Sequence, residues 1–380
     1  MHIEYKNDDD TLMDSLQLRN DPIGIRMKKL MSMPDLTRKE NSPVQIITEA
    51  VLKSPSLEGC DIIEFPEIVT VERNFDLLNA PEDHPSRSPS DTYYTGQMHV
   101  LRAHTTAFWT YYLRDQSVLS RLENNEILKA VSYGKVYRRD EIDRNHYPVF
   151  HQIDGLLICK KERMHIGLDD LSKAAAQIAE SIYGKDIVCR EIEDAFPFTD
   201  PSIQLEIQWQ DGWLELMGVG LVHRNVLSRL ELDPDIYNGW AFGFGLDRLA
   251  MVKMKIPDIR ILWLNDQRIT RQFSDINSVY QEVSRFPSTE RDISMIVDKE
   301  TSVNLFYEAI RDYGDLEGED MIEEVKLIDK YENPKFGGKL SYTFRIVYHS
   351  NVRTLTNEEV NVIQEKIRLE MVREFGVILR

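Results

Sequence analysis

Cysteine is scarce in this chain of 380 residues, which has three, at Cys60, Cys159 and Cys189. An odd number at wide spacing excludes a disulfide scaffold and a cysteine-based zinc site, and is typical of a reducing compartment. No run of about 18 apolar residues occurs, which excludes a membrane-spanning helix. The first residues, MHIEYKNDDD, resemble neither a secretory signal nor an organellar presequence. We therefore expect an intracellular, soluble protein, either cytoplasmic if bacterial or in the mitochondrial matrix if organellar with its presequence absent.

Several signatures of chemistry are missing as well. The nine histidines form no metal-binding pattern, since His99 and His104 are five apart rather than four. No Gly-x-Ser-x-Gly nucleophile elbow occurs. Basic residues are in the minority, with 46 Lys and Arg against 64 Asp and Glu, and the net charge is −18. This charge argues mildly against a nucleic-acid-binding protein, although a local basic patch can act within an acidic chain.

The patterns that are present predict an α+β fold of two or three domains. Residues 1–43 are polar and turn-rich and are expected to form an irregular arm. Apolar spacing predicts a helix over 98–123. A polar linker over 265–285 separates a larger domain over 44–264 from the C-terminal segment 286–380. That last segment is predicted to contain a strand, a helix, two strands and a helix in this order, which is typical of a small ferredoxin-like module.

The strand predicted at 149–158 places three unusual side chains on one face. Side chains alternate along a strand, so Phe150, Gln152 and Asp154 share one face and His151 lies on the other. An aromatic ring can stack on a nucleobase, and an amide beside a carboxylate can bind an ammonium group. The alternative is a polar face in contact with solvent, which is common in antiparallel sheets and which the strand alone favours.

Basic side chains precede this strand, at Arg138, Arg139, Arg144 and His146. Guanidinium groups suit bidentate contact with phosphate. The alternative is a charged loop in water, which is the usual role of such a segment.

A second polar face is predicted in a hairpin whose turn is Asp211-Gly212, a dipeptide typical of two-residue turns. That turn places Gln208 opposite Glu215, with Glu206 on the same face. Two carboxylates on one face can hold Mg²⁺ together with its waters and a nucleotide phosphate. A solvent-facing sheet is the alternative.

Closely spaced glycines precede a helix in the segment 239–254. Gly243 and Gly245 permit a close approach of the backbone to a ligand, and Arg248 follows one turn into the helix, where it can reach a phosphate. The segment is neither a P-loop nor a dinucleotide fingerprint. A tightly packed strand-to-helix junction is an equally good interpretation.

Taken together and in their order along the chain, the segments described above resemble those of class II aminoacyl-tRNA synthetases. The resemblance is specifically to the single-chain phenylalanyl-tRNA synthetases of the mitochondrial type, over roughly 45–380. HVLRAHTTA resembles the His-Thr-Ser segment of that family, and YRRDEIDRNHYPVFHQIDG resembles its motif 2. AFPFTDPS resembles its Phe-Pro-Phe pocket, and WAFGFGLDRLAM followed by IPDIR resembles its motif 3 region. EEVKLIDKY and RTLTNEEV resemble parts of its anticodon-binding domain. The resemblance implies a class II antiparallel sheet flanked by helices, with a C-terminal ferredoxin-like α+β module.

On the nucleotide side, the resemblance implies ATP as a substrate with Mg²⁺ as a cofactor. Arg138 matches the arginine that grips the α-phosphate, Phe150 would stack on adenine, and Arg248 matches the arginine on the γ-phosphate. With His146, which would contact the phosphates, Arg138 and Arg248 are the implied catalytic residues. The further positions implied in ATP binding are Asp140, Glu215, Gly243 and Gly245. Glu206 and Glu215 are the candidate metal ligands.

On the amino-acid side, the resemblance implies phenylalanine. Gln152 and Asp154 would hold its α-ammonium group, and Phe196 and Phe198 would contact its ring edge to face. The remaining positions implied in substrate binding are His104, Thr106, Trp109 and Ala241.

Four positions depart from the family pattern. Asp140 and Asp154 stand where Glu is typical, Thr106 stands where Ser is typical, and Trp109 stands where Gln is typical. These departures motivate an alternative function, in which a synthetase paralogue adenylates a different amino acid for a non-tRNA acceptor. A non-catalytic RNA-binding relative is the second alternative.

The resemblance also implies tRNA(Phe) as a partner of a monomeric enzyme without a membrane association. Within the C-terminal module, Lys335, Lys339, Arg345 and Arg353 are candidates for a stripe that contacts tRNA phosphates. The alternative is that they are solvated charges at the ends of strands.

Overall fold

The computed structural model describes residues 1–6, 16–139, 143–210, 212–283, 286–316 and 318–380. Asp140, which was assigned to ATP, and Asp211, which was assigned to the hairpin turn, lie outside the described residues. The strands are β1 His2–Glu4, β2 Asp61–Glu64, β3 Ile68–Thr70, β4 His99–Leu101, β5 Leu128–Tyr137, β6 Val149–Lys160, β7 Cys189–Phe196, β8 Thr199–Trp209, β9 Gly212–Val222, β10 Tyr237–Gly245, β11 Thr289–Val297, β12 Asp315–Leu316, β13 Glu319–Asp320, β14 Ile322–Glu332, β15 Leu340–Tyr348 and β16 Ile378–Leu379. The α-helices are Pro22–Ser32, Pro43–Leu52, Val71–Asn74, Trp109–Tyr112, Gln116–Glu123, Leu168–Tyr183, Arg224–Arg229, Leu246–Lys253, Gln267–Thr270, Val303–Tyr313 and Asn357–Phe375.

An eight-stranded sheet in the order β1-β2-β5-β6-β10-β9-β8-β7 forms the larger part of the molecule. β1, β2 and β5 pair in parallel at one edge, and the neighbours from β5 to β7 are antiparallel. Successive residues of β6 enter two different cores, with Ile153 and Leu157 in one and Leu156 and Ile158 in the other. The sheet is therefore covered on both faces, and its even-numbered β6 residues share a face with the second core.

The described residues of 1–43 are less irregular than the sequence predicts. β1 adds a short parallel strand to the edge of the large sheet, and Pro22–Ser32 is a helix. Pro22 supplies a fixed φ at the first helical position, and the Asp21 carboxylate accepts a hydrogen bond from the Gly24 N–H at 3.0 Å. Met27 and Leu30 then bury the inner face of this helix. The polar composition concealed a well-capped helix with an apolar side.

The single helix predicted over 98–123 is wrong. The segment begins as β4, which pairs with β3, and continues as a 3₁₀ turn at Thr105–Phe108, a four-residue helix and a separate helix at Gln116–Glu123. Asp115 starts the last helix by accepting a hydrogen bond from the Ser117 N–H at 2.8 Å. The apolar residues at helical spacing are the buried residues of several short elements.

The C-terminal part has the predicted order of strand, helix, strand, strand and helix. Its four-stranded sheet has the order β14-β15-β11-β16, and its two helices bury an apolar core against that sheet. A capping box between Thr356 and Glu359 starts the last helix. Across the described ranges, no helix combines the length and apolar character that a membrane crossing requires.

Candidate active site

A cavity of about 830 Å³ opens on one face of the large sheet, over β6, β9 and β10. Residues from the segment 74–92 and from the β7–β8 hairpin around 195–199 form its sides. The predicted site residues on its wall are His104, Thr106, Trp109, Arg138, Gln152, Asp154, Phe196, Phe198, Glu215, Ala241, Gly243 and Gly245. The structure therefore brings together most of the side chains that the sequence singled out.

The alternation predicted for β6 is confirmed. Gln152 and Asp154 lie on the cavity wall, and the Phe150 ring lies beside it under the Arg138 guanidinium, 5.4 Å from ring centroid to Cζ. His151 points the other way, where its Nε2 accepts a hydrogen bond from the Leu36 N–H at 3.0 Å. The polar face of this strand is a cavity wall and not a solvated surface.

Asp154 is the buried carboxylate of the cavity. Its two oxygens each accept a hydrogen bond from a hydroxyl, Oδ1 from Thr106 Oγ1 at 2.6 Å and Oδ2 from Thr105 Oγ1. Burial raises the pKa of Asp154 to about 6, while the two hydroxyls and the charge of Arg138 oppose that rise. Near neutral pH the group is therefore an anion on the cavity wall, in a position to receive a cation.

Gly243 makes room for this carboxylate. It is the register partner of Asp154 on β10, and a Cβ at that position would lie 2.6 Å from Asp154 Oδ1. A side chain here would displace the carboxylate, so the glycine is required by close approach.

Arg138 and His104 contribute two further polar side chains to this wall. Arg138 Nε donates to the Ala103 carbonyl at 2.9 Å. His104 Nε2 lies 3.0 Å from the Asn74 carbonyl, which can only accept, so the proton is on Nε2. Burial and the nearby Arg138 lower the pKa of His104 to about 3. The neutral ring therefore keeps Nδ1 as an acceptor.

Aromatic side chains form the neighbouring part of the wall, where the Phe198 ring lies beside His104 with centroids 6.1 Å apart. Phe196 and Phe198 are stacked with centroids 6.0 Å apart, and the Trp109 ring meets Phe198 edge-on at 6.0 Å. A Cβ at Gly218 would lie 2.7 Å from Phe196 Cζ, so the absence of a side chain at Gly218 leaves space for the Phe196 ring. Ala241 completes the wall with a small side chain. The cavity thus has an aromatic side and a charged side, as an aromatic amino acid requires.

Besides Phe150, three predicted site residues lie off the described wall. His146 is 47% exposed, with Nδ1 2.9 Å from Asp143 Oδ1. Arg248 is 59% exposed at the start of the helix Leu246–Lys253, with Nη1 3.5 Å from Glu215 Oε2. Because Glu215 is on the wall, Arg248 stands at the edge of the cavity. Glu206, the third, lies further along the hairpin.

The predicted register of that hairpin is wrong by one residue at the turn. Trp209 pairs with Gly212, so the turn begins one residue earlier than predicted, at Gln210. Gln210 has a φ of 55°, the left-handed conformation that such a turn requires. Glu215 consequently lies opposite Glu206 and not opposite Gln208. Glu206 and Glu215 still lie on the same face of the sheet. The strand partner of Glu215 changes by two residues, and side chains two residues apart on a strand share a face.

The assignment of the two carboxylates to Mg²⁺ stays a prediction. Glu206 Oε2 is bound by Arg190 Nε at 2.7 Å, and only Glu215 of the pair lies on the wall. Among the described residues, no group of three or more His, Cys, Asp or Glu is arranged to hold a metal ion.

Some wall residues were missed by the sequence prediction. They are Asn74, Gly218, Gly220 and Asn304, and Thr105 stands directly behind the wall. The alternating glycines of LMGVGLV are a signal that was available for Gly218 and Gly220. No local pattern indicates Asn304, because it belongs to the C-terminal module and reaches the cavity by donating to the Ser90 carbonyl at 3.0 Å.

The candidate tRNA-binding side chains do not form one cluster. Lys335 and Lys339 precede β15, whereas Arg353 follows its other end. Arg345 Nε donates to Asp292 at 2.9 Å, and Arg353 Nη1 donates to Glu359 at 2.7 Å. Their contact with tRNA stays a prediction.

Comparison with known proteins identifies the family. Residues 29–273 match the class II core domain (F) of tRNA synthetases, and residues 284–380 match the ferredoxin-fold anticodon-binding domain. The phenylalanine–tRNA ligase, chloroplastic/mitochondrial, of Arabidopsis thaliana is 37% identical over 91% of this chain and 80% of its own length. A probable mitochondrial phenylalanine–tRNA ligase of Drosophila melanogaster is 36% identical, over 82% of this chain and 77% of its own. The mitochondrial phenylalanine–tRNA ligase of Saccharomyces cerevisiae is 33% identical, over 90% and 88%. The chain therefore belongs to the class II aminoacyl-tRNA synthetases and, within them, to the phenylalanine–tRNA ligase family.

Proposed function

We propose that this chain activates phenylalanine with ATP in the described cavity and transfers the phenylalanyl group to tRNA(Phe). The observation that carries the proposal is the pairing of the buried Asp154 carboxylate with the aromatic wall of Phe196 and Phe198. An α-amino acid with an aromatic side chain has an ammonium group that can bind Asp154 and a ring that can pack against Phe196 and Phe198. Family membership supports the same reaction.

On the amino-acid side, Asp154 accepts hydrogen bonds from the α-ammonium group, with Gln152 and the neutral His104 beside it. The phenylalanine ring enters between the aromatic side chains, where edge-to-face contacts contribute about 0.5–1.5 kcal/mol beyond burial. Trp109, Thr106 and Ala241 close the space around it. These contacts fix the substrate carboxylate toward Arg138.

On the nucleotide side, adenine stacks on Phe150 and the α-phosphate lies against Arg138. Arg248, His146, Asp140, Glu215 and the backbone at Gly243 and Gly245 are assigned to the remainder of ATP. Mg²⁺ belongs with ATP in this assignment, since it neutralises phosphate charge when bound with the nucleotide.

The first step joins a carboxylate oxygen of phenylalanine to the α-phosphorus while the bond to the leaving pyrophosphate breaks. Arg138 stabilises the negative charge on the phosphoryl oxygens, and the cavity aligns the reacting atoms. In the second step, a ribose hydroxyl at the end of tRNA attacks the acyl carbon and AMP leaves. No protein nucleophile is needed in either step.

The C-terminal module is assigned to the anticodon end of tRNA, with Lys335, Lys339, Arg345 and Arg353 as its candidate phosphate contacts. Relatives with mitochondrial and chloroplastic names support an organellar site of action, and we assign the chain to the mitochondrial matrix as a monomer.

The test is amino-acid-dependent exchange of pyrophosphate into ATP, measured separately with each of the twenty amino acids, followed by charging of a tRNA with the phenylalanine anticodon. Exchange that is strongest with phenylalanine, together with charging, is the expected result. Exchange with another amino acid as the preferred substrate overturns the substrate assignment. Exchange with phenylalanine but no charging of tRNA overturns the acceptor assignment.

A further inference from the structure

We propose that Thr105 is a positioning residue for substrate recognition, whose hydroxyl holds the Asp154 carboxylate where the α-ammonium group of the amino acid binds. This inference rests on the proposed function and adds a residue to it. Thr105 is fully buried and, among the described residues, stands behind the cavity wall rather than on it. It therefore acts on the substrate through Asp154 and not by contact.

The geometry is a clamp of two consecutive hydroxyls on one carboxylate. Thr105 and Thr106 open the 3₁₀ turn Thr105–Phe108, which directs both side chains at the middle of β6. Each hydroxyl donates to a different oxygen of Asp154, so the carboxylate plane is fixed by both. On the other side, the backbone of Gly243 closes off the space. The carboxylate has one orientation, and its exposed edge is toward the cavity.

The clamp also supports the charge of the carboxylate. A buried anion is stable only when hydrogen bonds or opposite charges compensate its lost hydration. Arg138 at the end of β5 is the cation that acts on Asp154, and it is shared with the candidate phosphate site. His104 on the turn is neutral, β9 contributes the Glu215 side chain, and β10 contributes Gly243. The two hydroxyls are therefore the donors dedicated to Asp154.

The substitution Thr105→Val removes the hydroxyl and keeps the branched shape. Because a hydrogen bond to a charged group is lost, we expect the KM for phenylalanine to rise about ten-fold or more at pH 7. The KM for ATP should stay within about two-fold, because Arg138 and Phe150 are untouched. The pH below which kcat/KM for phenylalanine falls should move upward by about one unit, since the anion has lost a donor.

Two variants serve as controls. Thr105→Ser keeps the donor and should restore most of the affinity for phenylalanine. Thr110→Val removes a hydroxyl that is equally buried and that donates to the Ala107 carbonyl at 2.8 Å, away from Asp154. It should show the wild-type KM and pH profile.

The experiment is pyrophosphate exchange with the full-length chain, from pH 5.5 to 8.5, together with calorimetric binding of phenylalaninol, which carries the ammonium group and the ring without the carboxylate. Circular dichroism checks that each variant is folded, and Thr105→Ala replaces the valine variant if that one is not. A Thr105 variant that matches Thr110→Val, or that raises both KM values without a change in pH profile, overturns the clamp. Absence of exchange by the wild type overturns the proposed function instead.

Discussion

Arg26 and Glu308 form a buried ion pair, with Nη1 2.8 Å from Oε2, between the helices Pro22–Ser32 and Val303–Tyr313. Arg26 Nε also lies 2.5 Å from Asp312 Oδ2, and the second oxygen of Glu308 lies 3.4 Å from Arg139 Nε. Arg139 is the direct neighbour of Arg138. The N-terminal segment, the catalytic sheet and the C-terminal module thus meet one residue away from the candidate phosphate-binding arginine.

Replacing Arg26 should destabilise the protein strongly. Arg26→Ala leaves Glu308 buried with Arg139 as its remaining cation, and loss of one partner of a buried pair costs about 3–5 kcal/mol. Arg19→Ala is the matched control, since its ion pair with Asp21 is partly exposed and should contribute about 1 kcal/mol or less. Because the chain has more than one domain, the comparison uses unfolding midpoints in urea. Equal midpoints for the two variants would contradict a structural role for the pair.

Asp154→Asn should stabilise the fold while it removes phenylalanine binding. Burial raises the pKa of Asp154 to about 6, so the native state holds its proton more tightly than the unfolded state does. The resulting cost is complete above about pH 6 and disappears as the pH falls toward the unfolded value. The variant should gain up to about 3 kcal/mol at pH 7.5 and much less at pH 4.5. A thermal midpoint of the variant below that of the wild type at both pH values would show that the buried charge of Asp154 does not lower the stability of the fold.

Two glycine substitutions, at neighbouring register positions of β10 and β9, should impair recognition of different groups of the substrate. Gly243→Ala places a Cβ against Asp154, and Gly218→Ala places one against the Phe196 ring. Both should raise the KM for phenylalanine in pyrophosphate exchange, by about ten-fold or more. Only the first should alter the acid side of the pH profile, because only the first displaces the titrating carboxylate. Identical pH profiles for both variants would count against the division into an ammonium side and a ring side.

Arg138 should be needed mainly for the chemical step. Arg138→Ala should lower kcat for exchange by about 10²–10³, the range for loss of one group that stabilises the charge of a transition state. Arg138→Lys should recover only part of this loss, because an ammonium lacks the planar fork of a guanidinium. Arg163→Ala, at an exposed position outside the described wall, should keep the wild-type rate. If kcat stays high in Arg138→Ala, the arginine is not on the reacting phosphate.

Local patterns in the sequence predicted what depends on local geometry. The alternation of β6 predicted the shared face of Phe150, Gln152 and Asp154, because side chains on a strand alternate whatever the partner strand is. The order of elements after residue 286 predicted the C-terminal module, because each strand and helix there has its own local pattern of apolar residues. The helix at Pro22–Ser32 was missed because its polar flanks outweighed a short apolar face.

Other features depend on contacts between distant segments. The hairpin register required knowledge that Gln210 adopts a positive φ, which the favourable Asp-Gly dipeptide concealed. Thr105 is unremarkable in the sequence, and its partner Asp154 lies 49 residues away. Asn304 reaches the cavity from the C-terminal module. Such relationships follow from tertiary packing, and no spacing rule indicates them.

The most direct test of the central claim is a crystal structure of the chain with phenylalanine and a non-hydrolysable ATP analogue. We predict the α-ammonium nitrogen within hydrogen-bond distance of Asp154, the phenyl ring against Phe196 and Phe198, and the adenine ring on Phe150. An amino acid bound with its ammonium group away from Asp154, or a nucleotide bound outside this cavity, would contradict the account.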